Sequence, residues 1–150
     1  MGPIFTKLNL KDHDPVAVLN APAEFEPELV ALADRRVVRD LDELEAATFA
    51  LGFARDRAEL DPLCAALAAK APGDATLWIA YPKKSSKRYR ADFDRDRGWD
   101  VLGAAGFEPV RQVAIDADWS ALRFRRVAHV KTLTRSKAMA LSEEGKERGR

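Results

Sequence analysis

The stretch Pro82-Lys83-Lys84-Ser85-Ser86-Lys87 holds the side chains of this chain best suited to chemistry. It follows an apolar run, Leu77 to Tyr81, and the basic character continues through Arg88 and Arg90 before Asp92, Asp94 and Asp96 bring acids back. Lysine supplies point charge and serine supplies adaptable hydrogen bonds, which together can hold a phosphate or another anion. The plainer reading is a solvated loop whose lysines keep one edge of the protein soluble. The run is not a Walker A motif, because it lacks both glycines that let backbone N–H groups wrap a phosphate. An anion here would be held by side chains.

Other chemistries find weaker footing. His13 and His129 are the only histidines and stand near opposite ends of the core sequence. The lone Cys64 falls on the apolar stripe of a predicted helix, where a thiol is buried and inert. Asp92, Asp94 and Asp96 alternate as in a calcium loop, but the required Gly and distal Glu are missing. They read better as acids complementing a helix N-terminus. Asp116 and Asp118 suit a tight turn. Trp119 beside them either stacks on a ligand base or packs the turn onto a sheet. The expectation is therefore no catalytic residue, no metal ligand and no bound cofactor.

The elements that must position these residues alternate in type. Short apolar runs, VAVLN near the start, the brief RRVVRD, TFALGFA from Thr48 and LWIAYP from Leu77, read as strands. LWIAYP is apolar without alternation, which marks a strand buried on both faces of a parallel sheet. DRAELDPLCAALAAKAPGD is the clearest helix: Leu60, Leu63, Cys64, Leu67 and Ala68 fall on one face, with Asp61-Pro62 as its expected cap and first turn and Pro72-Gly73 as its stop. FEPELVALAD reads as a helix entered through Pro27, with Phe25 stapled onto Val30. DRDRGWDVLGAAGF reads as another, capped by Asp94 and ended by Gly106. PVRQVAID and WSALRFRRV are joined too tightly for a crossover and must form an antiparallel hairpin, with Arg123 and Arg125 on a wet face. The predicted fold is thus α/β: a mostly parallel, doubly wound sheet of Rossmann or methyltransferase-like outline ending in a β-hairpin. Residues 1–130 make one domain, and 131–150 form a polar tail, frayed or disordered.

Open parallel sheets bind ligands beyond the carboxyl ends of their strands. That edge receives Asn20 from the first strand, Asp40 from the second, Arg55 from the third and the run Lys83, Lys84, Ser85, Ser86 and Lys87 from the fourth. A parallel fifth strand adds Asp116 and Trp119 as a far wall. The net charge of +1 excludes whole-molecule electrostatic binding to nucleic acid, so such a role needs a local patch. Lys83 to Arg90, with Tyr81 and Tyr89 flanking, and Arg123, Arg125 and Arg126 are its candidates. One cysteine fits a reducing compartment. No apolar run approaches the roughly 18 residues of a membrane span, and MGPIFTKLNLKDHD has no signal-peptide core, so a cytoplasmic protein is expected.

WIAYPKKSSK, RDRGWD, AAGFEPVRQVAID and WSALRFR, together with LNAP near the start, resemble a family of small uncharacterised bacterial proteins known only as a domain of unknown function. The resemblance spans roughly Leu8 to Arg126 and implies a compact α/β domain without assigning an activity. The topology resembles a reduced class I methyltransferase. Asp40, about 20 residues after the first strand, could accept from ribose hydroxyls. Against that, the turn NAPAEFEP has no glycine to let the backbone approach a cofactor, and Asp40 also suits the N-cap of LDELEA. The reading preferred on sequence is a binding domain for a small anionic, phosphate- or nucleotide-like ligand or a protein partner. The alternatives are a reduced S-adenosylmethionine-dependent methyltransferase and a nucleic-acid accessory protein.

Overall fold

Short apolar runs bounded by Asn, Asp, Gly and Pro become strands because neighbours on both sides bury them. A computed structural model describes residues 2–130. In chain order the elements are α1 (Pro3–Lys7), β1 (Val16–Leu19), a 3-10 turn (Ala23–Phe25) running into α2 (Glu26–Val30), β2 (Val37–Val38), a 3-10 turn (Leu41–Glu43), β3 (Phe49–Phe53), α3 (Arg57–Lys70), β4 (Thr76–Pro82), α4 (Asp100–Ala104), β5 (Phe107–Ala114), β6 (Trp119–Arg126) and a last 3-10 turn (Val127–His129). The predicted tail, 131–150, lies outside the described residues.

The sheet order is β2-β1-β3-β4-β6-β5. β1 pairs in parallel with β2 and β3, and β3 with β4. β6 pairs antiparallel with both β4 and β5, so β5 runs in the same direction as β1 to β4 and β6 is the one reversed strand. This is the expected mostly parallel α/β sheet closed by a hairpin. VAVL and FALGF are neighbours, with the TLWIAYP strand next to them.

Both faces of the sheet are covered. One face carries Ala17, Leu19, Ala50, Leu77, Ile79, Leu122 and Phe124 against the α3 stripe and Trp99. The other carries Val16, Val18, Phe49, Leu51, Phe53 and Trp78 under Phe5, Leu8, Leu10, Phe25, Leu29 and Leu32. Trp78 is fully buried and donates its indole N–H to the Leu8 carbonyl at 2.8 Å, which fastens the N-terminal segment to the sheet. No pattern in the sequence assigns that segment to the sheet.

Three local expectations are corrected. α3 is not capped at Asp61-Pro62: Asp56 is its N-cap, its side chain accepting from the Glu59 amide, and Pro62 lies inside the helix. A proline there gives up its own amide bond and crowds the carbonyl four residues back, and the buried stripe holds the helix regardless. The helix foreseen from Asp94 is short, Asp100–Ala104, because Gly98 adopts φ +107 just before it and Asp94 closes a bridge with Arg97 instead of capping. Asp94 and Asp96 therefore do not serve a helix dipole. Gly106 does take the left-handed conformation expected of a residue past a helix end, φ +89. The Phe25–Val30 staple does not form, since Phe25 is buried while Val30 is 75% exposed.

Leu67 sits mid-stripe on α3 with no exposed surface. Leu67→Ala should cost about 2–5 kcal/mol in urea unfolding, the range for a buried leucine whose site collapses only partly. A cost below about 0.5 kcal/mol would place the wrong face of α3 inside.

Candidate functional site

The segment 83–98, between β4 and α4, has almost no regular structure, yet it is tied down throughout. β4 ends with Pro82 opposite Trp119, and the Lys83 amide adds one more rung by donating to the Asp118 carbonyl at 2.8 Å. The Ser86 amide turns back to the Lys83 carbonyl at 3.0 Å. Ser86 Oγ donates to Asp118 Oδ1 at 2.8 Å and accepts from the amides of Arg88 and Tyr89 at 3.2 and 3.1 Å. Farther on, Phe93 is buried against Tyr81 and edge-on to Trp99. Asp92 Oδ1 accepts from the Arg57 amide at 2.8 Å, in the first turn of α3.

Two carboxylates hold the basic run in place. Glu24 accepts from the Tyr89 hydroxyl at 2.7 Å and from Arg88 at 2.8 Å. Burial pushes its carboxyl up, but the Tyr89 hydroxyl, its own backbone amide and the Arg88 charge outweigh that and leave it below its ordinary value. Asp94 accepts from the Asp96 amide at 2.9 Å and meets both Lys84 and Arg97 at 3.3 Å. The Asp96 amide is the main reason its carboxyl lies low, against burial and with Lys84 and Arg97 assisting.

Cavities flank this segment. The first, about 390 Å³, is lined by Tyr81, Lys83, Lys84, Ser85, Asp94, Arg95, Asp96 and Gln112 among others. Its phenol Tyr81 accepts from the Gln112 amide group at 2.8 Å and is pushed up to about 12 by burial. The second, about 400 Å³, is lined by Lys83, Lys84, Ser86, Tyr89 and Arg90 over Pro82, Ala91 and Phe93. It has three cationic side chains and no carboxylate on its walls. A third, about 410 Å³, opens beyond β1 and β2 and is lined by Asn20, Arg39, Asp40, Asp42, Glu59 and Leu63 among others.

The residues expected at the site divide accordingly. Lys83 and Lys84 line both of the first two cavities, Ser85 the first and Ser86 the second. Lys87 is exposed and lines none of these three. Asn20 sits in the left-handed region, φ 59, and donates to the Phe53 carbonyl at 3.3 Å beside the third cavity, apart from the lysines. Asp116 is a turn residue whose Oδ1 accepts from the amides of Asp118 and Trp119, both at 2.8 Å. Trp119 is 1% exposed, with its ring edge-on to Phe53 and tilted against Tyr89, so it packs the hairpin onto the sheet and offers no open face. Asp40 caps the Leu41–Glu43 turn through the Asp42 amide. Tyr89, expected as an aromatic flanking the basic run, lines the second cavity, and so does Arg90, which nothing in the sequence sets apart from Lys87 or Arg88. Cys64 is buried and its thiol is pushed up to about 12 by burial and Asp61. Among the described residues no group of three or more His, Cys, Asp or Glu side chains is placed to hold a metal ion, and no helix is long and apolar enough to cross a membrane.

Compared with known proteins, the chain matches no protein-family model and no curated protein.

The Glu24 tie is testable by pH. Its carboxyl holds a proton less readily when folded than its ordinary value of 4.5, so its contribution is complete above that value and fades as pH falls through the lower folded-state value. Glu24→Gln should destabilise by about 0.5–1.5 kcal/mol near neutral pH, and the gap from the parent protein should shrink in acid. Urea unfolding of both proteins at neutral and acid pH reads it out. A gap that stays constant with pH would mean that the charge of Glu24 does not hold the loop.

Proposed function

We propose that this protein is a binding domain for a small ligand bearing a phosphate-like anionic group, taken up at the carboxyl edge of the sheet beside the 83–98 segment. The observation that carries this reading is the cavity of about 400 Å³ whose walls bring Lys83, Lys84 and Arg90 together with no carboxylate among them. Lys83 and Arg90 form no ion pair among the described residues, and Lys84 reaches Asp94 from a side chain 82% exposed. Three cations with so little compensation leave a favourable place for an anion, at the edge where parallel sheets receive ligands. The aromatic ring of Tyr89 and the buried Phe93 give the same cavity an apolar side. Ser86 takes a positioning role in this reading, since its hydroxyl already serves Asp118 and two amides.

The resemblance to the small bacterial proteins of unknown function implies a compact α/β domain and adds no activity. The methyltransferase-like reading draws on the third cavity, where Asn20 and Asp40 line a space beyond β1 and β2. It is disfavoured by the turn itself. Ala21 and Pro22 follow Asn20, the Asn20 amide group is spent on Phe53, and α2 is only five residues long. S-adenosylmethionine should therefore show no micromolar binding by calorimetry, and such binding would move the enzyme reading to first place.

A thermal-shift series of inorganic phosphate, nucleotides and polyanions should contain a compound that raises the melting temperature by roughly 5–10 °C at concentrations well above its dissociation constant. The triple variant Lys83→Ala, Lys84→Ala, Arg90→Ala should lose that shift and keep its unliganded melting temperature nearly unchanged, because Lys84 and Arg90 are exposed and the half-buried Lys83 has no ion pair among the described residues. If no anion shifts the parent protein, the basic run is solvated charge and the proposal fails.

A further inference from the structure

β5 carries a one-residue irregularity that determines where a charge goes. Pro109 opposes Phe124 and Arg111 opposes Arg123, so Val110 is the extra residue between them. With a regular register Val110 would oppose Arg123, and Arg111 would oppose Leu122 on the face that packs against α3. The bulge instead sets Arg111 beside Arg123, on the face shared by Trp78, Val113 and Ala121. An edge strand gains from a charged side chain, but that need alone does not require two arginines on one rung.

Like charges directly opposite across two strands are destabilising. The neighbouring arginines of the hairpin are compensated. Arg125 makes a two-point ion pair with Asp74, at 2.9 and 2.6 Å. Arg126 donates to the Gly73 carbonyl at 2.9 Å and the Ala68 carbonyl at 3.3 Å, and its guanidinium lies 4.6 Å from the Phe107 ring centre. Arg111 and Arg123 have no carboxylate at ion-pair distance among the described residues, and the buried Nε of Arg123 has no acceptor. Glu108, the buried carboxyl nearby on β5, is in register with Arg125 instead. His13 adds a further nitrogen base close enough for Arg123 to depress its pKa, after burial and Arg35. Burial holds the Arg123 guanidinium below its ordinary value, Arg125 and Arg111 push in the same direction, and Asp74 alone opposes them.

We infer that Arg111 and Arg123 form a clamp for a phosphate-type oxyanion on the hairpin face, separate from the cavity at Lys83. Two adjacent guanidiniums present forked donors that match a tetrahedral oxyanion, and the anion removes the repulsion on the rung. Arg123 lies four residues along β6 from Trp119, about 13 Å by strand rise, so the two anion sites do not share a ligand group.

The site can be read directly from the Nε–H resonance of Arg123 by nitrogen-15 NMR of the full chain, titrating inorganic phosphate against chloride at constant ionic strength. A saturable shift of that resonance is expected. Arg111→Gln, a change at an exposed side chain, should weaken it about tenfold, the loss expected for one charge-assisted contact. In phosphate-free buffer the same variant should melt no lower than the parent protein, because it relieves repulsion. Arg111→Lys keeps the charge and loses the fork, so it should fall between the two. The variant Lys83→Ala, Lys84→Ala should leave the shift unchanged. The clamp is overturned if the Arg123 resonance does not saturate, if Arg111→Gln or Arg111→Lys binds as well as the parent, or if the lysine variant abolishes the shift. The last result would place the anion in the loop cavity, whereas failure of the clamp alone leaves the loop proposal standing.

Discussion

The rest of the structure depends on β4 having no wet face. All seven of its residues, Thr76 to Pro82, are buried, with β3 on one side, β6 on the other, and packed side chains above and below. Its two large polar-tipped side chains are satisfied internally, Trp78 by the Leu8 carbonyl and Tyr81 by Gln112. A strand so placed cannot release charge sideways at any affordable cost. Polar chemistry must wait for its end. Lysines directly after Pro82 therefore follow from the architecture, and the Lys83 amide, still paired with the Asp118 carbonyl, starts the loop with the rigidity of the sheet.

That start explains how a segment without regular structure can present fixed side chains. Backbone groups outside helices and strands still need partners, and here side chains supply them. Ser86 serves two amides, Asp94 one and Asp92 one. Phe93 adds a hydrophobic anchor between Tyr81 and Trp99. The side chains that do this work are spent, which separates the loop into a scaffold of Ser86, Asp92, Asp94 and Glu24 and a set of cations, Lys83, Lys87 and Arg90, with no ion pair among the described residues. The proposed anion cavity draws Lys83 and Arg90 from the second set and adds Lys84, and the first set fixes the backbone that carries them.

The sheet was legible in the sequence because its signals are local. Continuous apolar runs ended by Asn20, Arg55 and Pro82 mark buried parallel strands, and a tight link through Ala117-Asp118 admits only a hairpin. The α3 stripe was legible for the same reason, though its cap was not: Asp61-Pro62 resembles a helix entry, while the cap that forms is Asp56 on the Glu59 amide. Gly98 was the missed signal in the next segment. Its φ of +107 ends any helix running from Asp94, and a side chain there would sit 2.7 Å from the Phe93 Cβ. The site was less legible because its partners are distant in sequence. Glu24 lies 65 residues from Tyr89, and Asp118 lies 32 from Ser86. No spacing rule links them. Trp119 illustrates the limit in the other direction. A strand-end aromatic suits stacking on a ligand or packing on a core, and Phe53 and Tyr89 decide for the core.

Net charge near zero hides how unevenly compensation is distributed. Glu26 meets Arg39, Glu59 meets Arg55 and Asp74 meets Arg125, all as two-point pairs. These exposed or half-exposed pairs contribute little to stability, but they give those arginines an acidic partner. Among the described residues, basic side chains without an ion pair stand together in two places, the loop after β4 and the Arg111–Arg123 rung. At both, the backbone fixes the cations: an extra rung of the ladder positions Lys83, and a bulge in the edge strand positions Arg111. Cations on flexible stems cost entropy to hold an anion, whereas cations whose backbone is already fixed lose less on binding. The electrostatics of this small domain therefore turn on which basic side chains the backbone fixes in place while leaving them without an acidic partner.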